Sequence, residues 1–177
     1  NFASPLAGLL EVPSITLDGR VLNKSGYDEA SGYYCTFDQR LASAVPDSAS
    51  YNDALIAIEY IKSEVFNGFP FPSELDKACA IALLLTAFVR RFLTHAPGFM
   101  VTATTQASGK STLVEIVFQA AFGRPAAASS WTDNQEETQK HILAILLEGH
   151  SGVCFDNLPY GSKVDGDELA KLITQEV

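Results

Sequence analysis

Thr104-Thr105-Gln106-Ala107-Ser108-Gly109-Lys110-Ser111-Thr112 is the stretch on which the reading of this chain turns. The apolar run Phe99-Met100-Val101-Thr102-Ala103 precedes it and has the length and β-branched content of a strand. A helical pattern from Lys110 to Phe122 follows, closed by Gly123 and Pro125. A loop between a strand and a helix, ending in Gly-Lys-Ser, matches the phosphate-loop pattern of Gly, any four, Gly-Lys-Ser/Thr everywhere except the first glycine, which is Thr104 here. Successive N–H groups of Thr105, Gln106, Ala107, Ser108 and Gly109, continued into the helix N-terminus, are expected to form a concavity for a polyphosphate such as that of ATP, with Gly109 allowing close approach. Lys110 would reach the β- and γ-phosphates and Ser111 would give its hydroxyl to Mg²⁺. Thr112 lies near the α-phosphate or merely supports the helix start.

Outward from this stretch, short apolar runs alternate with helical segments, the signature of parallel βαβ units. Residues 126–131 read as a second strand, and 135–148 as a helix with Thr132 or Asp133 as N-cap and Gly149 as its stop. Ser151-Gly152-Val153-Cys154-Phe155 reads as a third strand, and 167–174 as a last helix. Asp156 ends the third strand, where a nucleotide site needs an acidic ligand for Mg²⁺. Asn157 follows where many ATPases carry a glutamate; an amide orients water without taking its proton, which implies slow hydrolysis or another base. Sequence alone does not assign Glu136 or Glu137 that role. The β-branched Thr104 changes how the loop leaves its strand.

Before Pro97 the character differs. Asp18-Gly19 between two apolar runs predicts a type I′ hairpin turn, and Tyr33-Tyr34-Cys35-Thr36-Phe37 predicts a further strand, together a small β-meander. Residues 42–52 form a polar connector. Leu55, Ile58, Ile61 and Val65 recur at helical spacing, with Asn52 as candidate N-cap and Asn67-Gly68 as stop. Ser73 and Asp76 have capping-box spacing ahead of a helix to about Leu93 that is apolar on most sides. The expected division is a β-rich head over 1–45, a helical segment over 46–96 and a nucleotide-binding core over 97–177.

Composition limits the partners. The chain of 177 residues carries 21 acidic against 12 basic side chains, net −9, so no basic face for a phosphate backbone is expected from it alone. The apolar run between Lys77 and Arg90 falls short of the ~20 residues of a bilayer span. Cys35, Cys79 and Cys154 form no CxxC and sit in apolar segments, reading as reduced core residues of a cytoplasmic protein. The first residue is Asn rather than Met and no signal peptide is visible, so the chain reads as a fragment. His95, His141 and His150 share no metal spacing. Glu136, Glu137 and Lys140 have the spacing of a surface ion pair, and Lys163 reads as part of the loop after the third strand, with contact to DNA as the alternative reading.

Taken together, Gly26-Tyr27-Asp28, Phe69-Pro70-Phe71, Ala96-Pro97, Gly109-Lys110-Ser111, Gly123-Arg124-Pro125, Trp131, Leu146-Leu147-Glu148-Gly149 and Asp156-Asn157 give a chain that resembles the P-loop ATPase region of prophage and integrative-element primase–helicase replication proteins, in the AAA+ and helicase group. In such relatives the first loop glycine is already absent and Asp-Asn replaces Asp-Glu, whereas Ala107 stands where they often have Gly. The resemblance implies Mg-ATP hydrolysis coupled to DNA unwinding or translocation in a homo-oligomeric ring, with Lys110, Asp156 and Asn157 catalytic and Ser111 with Asp156 on the metal. It also implies further strands, a γ-phosphate sensor and an arginine finger after Asp156, so the core is expected to be incomplete at its C-terminus; Arg90, Arg91 and Arg124 read as helix ends or caps instead. Two other classes fit the loop: a P-loop kinase, and a nucleotide-binding or assembly module that does not hydrolyse.

Overall fold

In the computed structural model the described residues are 5–42, 48–105, 107–132, 134–150, 152–159, 161–162, 164 and 173–174. Short extended runs in the first forty residues pair as the turns between them allow. β1 (Gly8–Leu10), β4 (Gly26–Tyr27) and β5 (Tyr33–Cys35) make one sheet in the order β1-β5-β4. β1 runs parallel to β5 and β4 antiparallel to it. β2 (Ser14–Ile15) and β3 (Val21–Leu22) form a separate antiparallel hairpin. The expected meander is therefore a mixed sheet beside a hairpin. The reason lies in β1, whose edge pairs with a strand some 25 residues later instead of with its successor in sequence.

The hairpin turn also departs from expectation. Gly19 is left-handed at φ 83° while Asp18 is not, and the Gly19 N–H donates to the Thr16 carbonyl at 2.9 Å. A type I turn followed by one left-handed residue is a three-residue loop with a glycine bulge, which needs positive φ at Gly19 alone. Thr16 reinforces it, since its hydroxyl accepts the Arg20 N–H at 3.1 Å.

α1 (Gln39–Ala42) closes this region, whose core is Leu10, Leu22, Tyr33, Cys35, Phe37 and Ala42. α2 (Tyr51–Tyr60) follows and continues as one π-helical turn over Ile61–Val65. Its N-cap is Ser50 rather than Asn52: Ser50 Oγ accepts the Asp53 N–H and the Asp53 carboxylate accepts the Ser50 N–H at 2.8 Å, a complete reciprocal box. α3 (Glu74–Val89) starts at Ser73 as expected, and a 3₁₀ turn over Arg90–Phe92 ends it.

α4 (Lys110–Phe122) occupies the expected span and stops at left-handed Gly123. α3 and α4 pack along one seam in which Phe66, Ala80, Ile81, Leu84, Leu113, Val117, Ala121 and Phe122 are buried. β6 (Ala127–Ser130), α5 (Gln135–Leu147) and β7 (Val153–Asp156) then form one parallel β-α-β unit with Ala127 opposite Val153 and Ser130 opposite Asp156. The N-cap of α5 is Asn134, whose side-chain oxygen accepts the N–H groups of Glu136 and Glu137, instead of Thr132 or Asp133. The fold is mixed α/β with small sheets that include parallel pairs.

Residues 99–103 form no strand. A strand exists only where its backbone groups find a partner edge, and among the described residues none pairs here. Val101 alone of this run joins the α3–α4 core, while Met100, Thr102 and Ala103 are exposed. The expected last helix lies outside the described residues except for 173–174, which are helical.

The N-terminal sheet is tied to the rest by polar and aromatic contacts. Phe92 meets Tyr33 edge-on with centroids 5.5 Å apart. The Ser14 hydroxyl donates to the Phe88 carbonyl at 3.3 Å, and Arg91 donates to the Leu9 carbonyl. Within the head, Asp28 takes both guanidinium nitrogens of Arg20, at 2.6 and 2.9 Å, and the Ser31 hydroxyl and N–H. These donors hold its carboxyl well below the usual carboxylate range.

Candidate functional site

The loop before α4 has a distinctive backbone. Ala107 is left-handed at φ 57° and Gly109 at φ 86°, while Ser108 between them is not. Alternating left-handed residues turn successive N–H groups toward one side, the local geometry of an anion nest. α4 then begins at Lys110 without any side-chain cap. α2, α3 and α5 each receive one, from Ser50, Ser73 and Asn134. The first-turn N–H groups of α4, at the positive end of a 13-residue helix, thus meet no side-chain acceptor among the described residues.

Ser108 Oγ is shielded from solvent and has no hydrogen-bond partner among the described residues. A shielded hydroxyl without a partner is disfavoured unless a ligand or water meets it. The orphan hydroxyl, the two left-handed residues and the uncapped helix together fit a phosphate group. Lys110 is half-buried and makes no hydrogen bond or ion pair among the described residues. Ser111 and Thr112 are exposed on the first turn, as are Thr104 and Thr105 before it; Gln106 lies outside the described residues.

Gly109 has a second constraint besides its φ. A methyl group there would meet the Phe69 ring at 3.2 and 3.5 Å. Phe69 comes from the Phe69-Pro70-Phe71 segment between the π-helical turn and α3, forty residues away in sequence. No local pattern announces that contact, and the sequence reading missed it.

Asp156 is the last residue of β7 and is exposed, as expected of a carboxylate at a strand end. Its register partner across the parallel pair is Ser130, a neighbour the sequence reading did not name. Trp131 beyond β6 stands edge-on to Phe155 with centroids 5.5 Å apart. Asn157 is left-handed at φ 55°, a conformation Asn tolerates better than most residues, and its N–H donates to Asp156 Oδ1 at 2.7 Å. Burial and the nearby Asp156 charge push the Cys154 thiol up. Among the described residues no hydrogen bond or ion pair joins Asp156 to Lys110 or Ser111.

The remaining candidates have structural partners. Arg124 donates to the Gly149 carbonyl at 2.6 Å and pairs with Glu11 at 3.2 Å, holding the end of α5 against the head. Arg90 donates to the Leu93 carbonyl at 2.8 Å. His95 contacts Thr94, His141 contacts Ser129 and His150 contacts Glu148, and no metal-binding cluster exists among the described residues. Lys140 forms none of the ion pairs seen among the described residues, and Glu137 instead accepts from Thr132 at 3.4 Å. Cys79, expected in the core, is exposed on α3; all three cysteines are free. Lys163 lies outside the described residues. No helix among the described residues is long and apolar enough to cross a membrane.

Comparisons with protein families, curated proteins and solved structures found no match for this chain.

Proposed function

We infer that this chain binds Mg-ATP through residues 105–112 and belongs to a P-loop ATPase that works on DNA in mobile-element replication. The observation that carries the reading is the uncapped start of α4, preceded by left-handed Ala107 and Gly109 around a Ser108 hydroxyl that has no partner among the described residues. Backbone N–H groups there supply the phosphate cradle, Lys110 supplies the neutralising charge, and Ser111 with Asp156 supplies oxygen ligands for Mg²⁺. The bound metal would polarise the phosphoryl oxygens. Asn157, following Asp156 with an amide rather than a carboxylate, favours a second reading in which nucleotide is held and hydrolysed slowly. DNA and the ring of subunits rest on the resemblance drawn from the sequence, because a net charge of −9 gives no expectation of a basic face.

Metal dependence tests the assignment of Asp156. ATP titrations with and without Mg²⁺ are expected to differ for the unaltered protein and to coincide for Asp156→Ala. A metal effect that survives the substitution would remove Asp156 from the site.

A further inference from the structure

Resting on the reading of Gly109-Lys110-Ser111 as the end of a phosphate loop, we propose that Phe69 is a positioning residue that holds Gly109 and the start of α4 in their binding shape before any nucleotide arrives. The ring fills the space beside Gly109 where a side chain would stand, at 3.2 Å from the position of a Cβ. Phe69 is itself fixed from behind. Its ring lies 4.6 Å from that of Phe71, which stands edge-on to Phe66 at 5.6 Å. Phe66 is 2% exposed and belongs to the α3–α4 core. The backbone adds two bonds, from the Phe69 N–H to the Phe66 carbonyl at 3.2 Å and from the Phe71 N–H to the Phe69 carbonyl at 2.9 Å. A continuous apolar support thus runs from the buried core to the residue at which the loop becomes a helix.

The chemistry follows from that support. A loop whose N–H groups already converge loses less conformational freedom on binding than one that must be ordered by its ligand. Phe69 offers phosphate no polar group, so its contribution is to affinity through the loop and not to a bond with the ligand. The Gly109 carbonyl accepts the Leu113 N–H at 2.9 Å, which makes the Leu113 amide a reporter of how firmly Gly109 is held.

Four variants separate this role from general packing: Phe69→Leu, Phe69→Tyr, Phe71→Leu and Lys110→Ala. In Phe69→Leu, exchange of the Leu113 amide is expected to speed up about tenfold while the Val117 amide in mid-helix is unchanged. The Mg-ATP dissociation constant should rise about three- to tenfold by calorimetry. Phe69→Tyr, which keeps the ring, should restore both values. Phe71→Leu should lower the melting temperature and speed Leu113 exchange less than Phe69→Leu does. Unchanged Leu113 exchange in Phe69→Leu, or equal acceleration at Leu113 and Val117, would overturn the proposal. If the unaltered protein and Lys110→Ala bind Mg-ATP alike, the phosphate-loop reading fails instead, and Leu113 exchange still decides whether the ring holds the loop.

Discussion

Ala107 is the residue where local chemistry and backbone disagree. At φ 57° it occupies the left-handed region, which an L side chain enters at a cost of roughly 1–2 kcal/mol and glycine enters freely. Ala107→Gly is therefore expected to leave stability unchanged or raise it by up to about 1 kcal/mol, the gain being offset by the greater unfolded-state freedom of glycine. Ala107→Val should lower it, since a β-branched side chain is a severe outlier there. Melting temperatures of the two variants check this, and a loss of stability in the glycine variant would contradict the left-handed assignment. Asn157 needs no such relief, because its amide tolerates the same region. At this scale the candidate residues Gly109-Lys110-Ser111 and Asp156 are read from spacing and position alone. What stayed hidden was the Phe69 ring against Gly109, because a contact between residues forty apart leaves no periodic mark.

Among the elements, legibility followed the strength of local signals. α4 was readable at both ends because Lys110 follows a loop glycine and Gly123 stops the helix in the left-handed conformation. The N-caps of α2 and α5 were each displaced by one or two residues. Several cap-competent side chains stand in a row at both places, and the choice among Ser50 and Asn52, or Thr132, Asp133 and Asn134, depends on which oxygen reaches the N–H groups of the first turn. The run 99–103 shows the opposite failure, in which strand propensity is present and a partner edge is not. Packing between α3 and α4 sets the platform from which the loop emerges. Leu84 is 1% exposed at the centre of that seam, so Leu84→Ala is expected to cost about 2–5 kcal/mol, read as a lower midpoint in urea. A cost under about 1 kcal/mol would mean that the seam is looser than described.

For the whole molecule, the architecture joins an N-terminal mixed sheet, a two-helix seam and one parallel β-α-β unit, and the candidate phosphate loop sits between the second and the third. Charge bears on what such a molecule meets. Of the net −9, −4 falls before Pro97 and −5 from there on, so the excess of acid is spread over both parts. Electrostatic steering toward a phosphate backbone is therefore not expected from this chain. A nucleotide is a different case, because a few convergent N–H groups and one lysine hold a polyphosphate regardless of net charge. Calorimetric titration with Mg-ATP of the unaltered protein beside Lys110→Ala tests the central claim most directly. Saturable one-to-one binding that falls at least about tenfold on substitution is the result expected from losing a charge-assisted phosphate contact. Equal binding by the two proteins, or none by the unaltered one, would contradict the claim.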